Sequence, residues 1–223
     1  MPEVIINGPE GRLECRYMPG NRPDAPTAII LHPEPNKRGT MNNRITFALY
    51  KLFQARGFSV LRFNFRGVGK SQGSYDNGEG ELADAATAMD WLQNQHPGSS
   101  ECWIAGFSFG SWIGMQLMMR RPEITGFISV SPPASTHDFT FLAPCPVSGL
   151  IVQGGENSQV TSERILQLVD KISKQKGVTI DVGIIDGANQ FFSAHLNEAM
   201  DEVEKYVDAR TTHTNQPVQT LIG

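Results

Sequence analysis

The sequence predicts an α/β fold, with a mostly parallel central sheet and helices packed on both of its faces. Three observations carry this. Short β-rich runs alternate along the chain with stretches of helical periodicity, the pattern of strands joined by helical crossovers. Ala28–Leu31 is a continuous apolar run of the kind found in strands buried on both faces. A short apolar strand from Cys102 leads into the turn Gly106-Phe-Ser108-Phe-Gly110 and then directly into a helix.

Taken in order, Val4 to Ile6 and Leu13 to Tyr17 form an opening hairpin joined through Gly8, Pro9 and Gly11. Ala28–Leu31 is the next strand. Asn43 to Arg56 reads as an amphipathic helix ended by Gly57, and Ser59–Phe63 as the strand after it. A long Gly-rich loop runs to about Gly80. Apolar residues at Leu82, Ala85, Ala86, Met89 and Leu92 then place a helix to Gln95, stopped by Pro97. After the serine turn, Trp112 to Arg120 is helical and Gly126 to Val130 is a strand. The remaining elements are strand Val147 to Val152, helix Ser162 to Lys174, strand Val178 to Ile185 and helix Leu196 to Ala209. Residues 1–210 are read as a single domain and 211–223 as a polar, flexible tail. The interval between Val130 and Val147 leaves no room for a cap domain, so a pocket above Ser108 is expected to be open and shallow.

The 223 residues suffice for one sizeable core. With 23 acidic against 19 basic residues, the formal net charge of −4 provides no electrostatic footprint for nucleic acid or anionic lipid. Cys15, Cys102 and Cys145 are few, odd in number and lack Cys-x-x-Cys spacing, which predicts neither disulfide framework nor metal site and suits a cytoplasmic location. No cofactor motif is present. Neither a secretory pattern at the N-terminus nor an apolar run of membrane-spanning length is found in the sequence. The Asn64–Ser71 loop approaches a phosphate-binding loop. However, Asn64 stands at the first required glycine, and Gly73, Asn77, Gly78 and Gly80 interrupt the helix that would grip phosphate.

Five stretches carry a family resemblance: His32-Pro-Glu-Pro35, Gly39-Thr-Met-Asn-Asn43, Phe63 through Gly73, Ala105-Gly-Phe-Ser-Phe-Gly110 and Phe141-Leu-Ala-Pro-Cys-Pro146. In order and over nearly the whole chain, they resemble small capless bacterial α/β-hydrolases of the dienelactone-hydrolase-like and serine-peptidase-like group. The resemblance implies an α/β-hydrolase fold with Ser108 at a nucleophile elbow. It also implies an oxyanion hole from the backbone N–H groups of Phe109 and Glu34, because prolines 33 and 35 have none. This oxyanion loop departs from the family pattern, with Glu34 where relatives tend to have a histidine and Arg38 in place of a paired glycine. A carboxylate at Glu34 opposes the developing negative charge unless Lys37 or Arg38 neutralises it.

Two larger departures concern the base and acid. Relatives look like Gly-Asp-x-Asp-x-x-Val and Gly-Ala-x-His-Phe-Phe where this chain has Gly154-Gly-Glu-Asn157-Ser-Gln-Val160 and Gly187-Ala-Asn-Gln190-Phe-Phe192. Gln190 at the base position and Asn157 at the acid position exchange hydrogen bonds but take up no proton near neutrality. Losing the histidine of such a unit costs roughly a million-fold in turnover, about 8 kcal/mol of barrier. The resemblance therefore implies a degenerate triad and a pseudoenzyme binding a small-molecule ligand or a protein partner. The alternative is a weak serine hydrolase of carboxylesterase or acyl-hydrolase type that uses Ser108 with a displaced base. His32 is the candidate rescue base; His137-Asp138, His195, Glu156 and His96 are weighed as structural or surface residues. A non-hydrolytic enzyme is a third reading, and a homo-oligomer is compatible with the sequence.

Overall fold

The structure is a computed structural model and describes residues 3–214. Eight strands form one sheet: β1 (Glu3–Gly8), β2 (Gly11–Met18), β3 (Thr27–Leu31), β4 (Ser59–Phe63), β5 (Cys102–Phe107), β6 (Ile124–Val130), β7 (Gly149–Gly154) and β8 (Ile180–Ile185). Their order is β1-β2-β4-β3-β5-β6-β7-β8. The β1–β2 hairpin is antiparallel and β2 joins β4 antiparallel; every later neighbour pairs in parallel. Alternation along β3 shows how the two faces are filled. Ala28 and Ile30 join α1 (Arg44–Ala55) and α5 (Leu196–Thr214) in one core. Ile29 and Leu31 join α2 (Glu79–Gln95), α3 (Phe109–Met118) and α4 (Ser162–Ile172) in the other. This is the α/β-hydrolase fold expected from the sequence, without a cap insertion.

Boundaries moved where turn chemistry was stronger than periodicity. The helix α2 begins three residues before Leu82, because the Glu81 carboxylate accepts from the N–H groups of Asp76 and Gly78 and closes its first turn. The start of α3 is Phe109 rather than Trp112, with Ser108 as its N-cap. Residues 211–214, read from sequence as part of the tail, continue α5, and 215–223 lie outside the described residues.

The Gly-rich loop after β4 binds the protein's own carboxylates. Glu14 Oε2 accepts from Lys70 N and Asn64 Nδ2, each at 2.9 Å, which occupies the amide-lined hollow that resembles a phosphate loop. Arg66 makes a two-pronged contact with Asp84 on α2, at 3.0 Å from Nε and 2.8 Å from Nη2, and both side chains are buried. Gly80 is helical but has no room for a side chain, since a Cβ there would strike the Arg66 guanidinium. Lys70 meets exposed Glu3 at 2.7 Å.

At the end of β3, His32 is fully buried and both ring nitrogens are engaged. Nε2 accepts from Phe65 N–H at 3.0 Å and Nδ1 lies 2.6 Å from the Pro33 carbonyl, which makes Nδ1 the protonated nitrogen. The ring thus ties the loop after β3 to the loop after β4. Burial pushes its pKa down to about 4, against the smaller opposing effect of the Pro33 carbonyl.

Two outcomes are expected. Removing the Asp84 carboxylate (Asp84→Ala) strands a buried guanidinium and should lower unfolding free energy by ~3–5 kcal/mol, read by urea titration. For His32, the unfolded chain takes up a proton below its ordinary value while the native state resists until about pH 4. Stability should therefore fall as pH drops from neutrality, by roughly 3 kcal/mol at pH 4 from this residue alone. In His32→Gln, the slope of stability against pH across that window should decrease by close to one proton.

Candidate active site

The serine turn is built by close packing. Ser108 has φ 52° and ψ −120°, a conformation sparsely populated by L-residues. A Cβ on Gly106 would meet Gly110 and Ser111 backbone atoms at 2.5 Å, and one on Gly110 would meet the Leu31 and His32 carbonyl oxygens at the same distance. The bend holds because Ser108 N–H donates to Val130 O at 2.9 Å and Ser108 O accepts from Ser111 Oγ and N. Its hydroxyl is left at the C-terminal end of β5, half-buried, above the crossing between β3 and β6.

Both sequence-predicted oxyanion donors are near this point. Phe109 heads α3, so its N–H has no intrahelical acceptor. Glu34 lines a notch of about 330 Å³ together with Lys37, Ser108, Phe109 and His137. Its carboxylate is paired with Lys37 Nζ at 2.8 Å and accepts from Tyr75 Oη at 3.5 Å. Burial, then the Glu34 charge, holds the Tyr75 phenol up at about 12, so it stays a donor. Lys37 thus supplies the counter-charge that the Glu34 departure required. Arg38 occupies a left-handed position, φ 62°, where a glycine carries no steric cost.

Asn157 and Gln190 do converge on Ser108. With Ser131 they line a space of about 30 Å³ beside it, enough for one water molecule. Asn157 Oδ1 accepts from Gln159 N at 2.9 Å and Val160 N at 3.1 Å, shaping the loop after β7. Gln190 is held through its carbonyl, which accepts from Ser131 Oγ at 3.1 Å. The same loop is anchored by Arg44 Nη2, which donates to Phe192 O at 2.6 Å. Glu156 N–H donates to Ala188 O and joins the two loops.

The histidines divide differently from expectation. His32, the expected rescue base, has no free nitrogen lone pair and is a structural clamp. His137 borders the Ser108 notch instead. Its ring packs on Trp112 with centroids 4.5 Å apart, and Nδ1 is 2.9 Å from Thr136 Oγ1. Burial lowers its pKa, partly offset by the nearby Glu34 charge, which favours the neutral ring. His96 is not an idle helix end. Its Nδ1 lies 3.4 Å from Ser59 Oγ, and Nε2 makes a short hydrogen bond with Tyr17 Oη. No motif marked this pair, because Ser59 and His96 come from a strand start and a helix C-cap far apart in the chain. Ser59 is fully buried, also accepts from Gly20 N–H at 2.8 Å, and begins β4 at the end of the strands opposite Ser108. Six residues of strand separate the two levels, roughly 20 Å.

Among the described residues, no cluster of His, Cys, Asp and Glu could hold a metal ion. No described helix is long and apolar enough to cross a membrane.

Residues 43–221 match the family model described as serine aminopeptidase, S33. The crystal structure of ATU1826 from Agrobacterium tumefaciens is 55% identical, covers 97% of this chain and 99% of its own, and superposes with a TM-score of 0.93. An alpha-beta serine hydrolase homologue from Coxiella burnetii is 34% identical over 92% of this chain and 96% of its own, with a TM-score of 0.84. Chicken lysophosphatidylserine lipase ABHD12 is 28% identical over 190 residues, 75% of this chain, which spans about half of that lipase (49%). Two findings correct the expectation of a degenerate triad in a pseudoenzyme leaning toward inactivity. The chain holds a hydrogen-bonded serine–histidine pair, Ser59–His96, against the expectation of a serine left with Gln190 and Asn157 in place of base and acid. The matching family model is named for a serine aminopeptidase and the Coxiella burnetii relative for a serine hydrolase, so the family ties point to hydrolases and not to a catalytically silent group. By sequence and by fold, the chain belongs to the serine aminopeptidase (S33) family of α/β-hydrolases.

Proposed function

We propose that the protein is a serine hydrolase acting on carboxylic ester or related acyl substrates, with Ser108 as nucleophile and His137 as the displaced base. The observation that carries this reading is the strained Ser108 elbow, which opens onto a notch shared with a neutral imidazole and headed by the Phe109 N–H. In the reaction His137 takes the Ser108 proton as the hydroxyl oxygen attacks the acyl carbon. The carbonyl oxygen gains negative charge facing the N–H groups of Phe109 and Glu34. His137 then returns the proton to the leaving alcohol, and water hydrolyses the acyl-enzyme by the same relay. Lys37 keeps the Glu34 carboxylate from opposing the oxyanion. The lipase relative supports an ester as the substrate class, and three buried free cysteines support a cytoplasmic setting.

A second reading is favoured by one contact. The Ser59–His96 dyad has a tyrosine on the far ring nitrogen, so with Nδ1 unprotonated Ser59 donates to it as a nucleophile does to its base. Full burial of Ser59 withholds it from substrate and makes Ser108 the preferred nucleophile.

Hydrolysis of p-nitrophenyl butyrate separates these readings. Ser108→Ala should reduce kcat/KM by ~10⁴-fold or more and abolish fluorophosphonate labelling. His137→Ala should cost ~10²–10⁴-fold. A loss in His96→Gln with full activity in Ser108→Ala would transfer the chemistry to Ser59. Because burial lowers the His137 pKa, the acid limb of the kcat/KM profile should lie below the ordinary histidine value, and activity should rise with pH through it. An acid limb above that value would exclude His137 as the base.

A further inference from the structure

A cavity of about 740 Å³ lies beside the Ser108 notch, between α4 and the segment joining β6 to β7. Its volume is within the range of small-molecule sites. The two spaces share a wall, since Ser135, Thr136 and His137 line both. The floor is apolar, with buried Ala134, Phe139 and Ile172 beside half-buried Leu168. Over this floor stand three cations from α4 and its C-terminal extension: Arg164, Lys171 and Lys174. None of the three makes an ion pair among the described residues; Arg164 only reaches the Ala134 carbonyl, at 3.5 Å. Among the described residues a single carboxylate, Asp138, lines the cavity, and its oxygens already accept from Thr140 N and Oγ1. Positive charge is thus in local excess over an apolar trough, although the whole chain carries a formal net charge of −4.

We infer that this cavity binds a single-chain amphiphile ending in an anionic group, a carboxylate or phosphate, with its hydrocarbon on the Phe139–Leu168–Ile172 floor and its charge against Lys171, Lys174 and Arg164. The chemistry follows from the lining. Hydrocarbon burial provides affinity in proportion to apolar area removed from water, and ammonium and guanidinium groups at the rim select the anion. Because the shared wall carries His137, the same molecule extended by an ester would present its acyl carbon at Ser108. That last step rests on the proposed hydrolase activity; binding itself does not.

Equilibrium dialysis with decanoate, decyl phosphate and neutral decanol tests this. Decanoate or decyl phosphate should bind at least ~10-fold tighter than decanol, a difference of about 1.4 kcal/mol, and the better of the two identifies the head group. The Lys171→Glu/Lys174→Glu double variant, changed only at exposed positions, should erase that preference, and Leu168→Gln should weaken all three ligands. Equal binding of decanol and both anions, or an anion preference untouched by the charge reversal, would overturn the inference. Dialysis with Ser108→Ala keeps it separate from the catalytic reading. Retained decanoate or decyl phosphate binding in an inactive variant supports the cavity whatever the fate of the hydrolase proposal. Loss of ester hydrolysis in Ser108→Ala without anion binding in the parent protein sinks the cavity alone.

Discussion

The close approach of α3 to β3 at the serine turn is the constraint on which the rest of this site depends. Gly110 lies against the Leu31 and His32 carbonyls, and Gly106 lies against Gly110. With side chains excluded at both positions, the chain between them bends sharply enough to force Ser108 into a left-handed φ. The bend places Ser108 at the C-terminal end of β5 and leaves the first N–H groups of α3 without helical partners, so one piece of backbone geometry sets both the serine and the free N–H beside it.

Around that bend the loops are braced by buried polar contacts. The His32 ring spans the loops after β3 and β4, and Arg66–Asp84 fastens the second of these to α2. Arg44 grips the carbonyls of the loop after β8, while Asn157 closes the turn after β7 from within. Breaking one of these leaves a polar group buried without a partner, which is more costly than the contact is stabilising. The site is therefore assembled from loops that buried polar contacts tie to one another and to α2.

Electrostatically, the site is divided into two regions. Near Ser108 the charges are balanced, Glu34 against Lys37, with a neutral imidazole facing them. Beyond the His137 wall the α4 cations are unbalanced. The Ser59–His96–Tyr17 chain lies toward the other end of the strands, sealed from solvent at Ser59, and links β2, β4 and the end of α2.

Much of this was legible in the residues. Alternating strand and helix patterns, the strand–Gly-x-Ser-x-Gly–helix order and the short β6–β7 interval determined the fold, the elbow and the lack of a cap, because each is a local signal read over adjacent residues. The substitution of amides at Asn157 and Gln190 was equally visible, as was the conditional role of Lys37. What the sequence could not supply was pairing between distant residues. Ser59 with His96, Arg66 with buried Asp84, the engagement of both His32 nitrogens and the arrival of His137 beside Ser108 all follow from how loops and helix ends meet after the sheet has formed. Those encounters are set by side-chain packing across strands far apart in the chain, which leaves no periodic trace along it; only the tertiary structure decided which histidine was tied down and which lined the notch at Ser108.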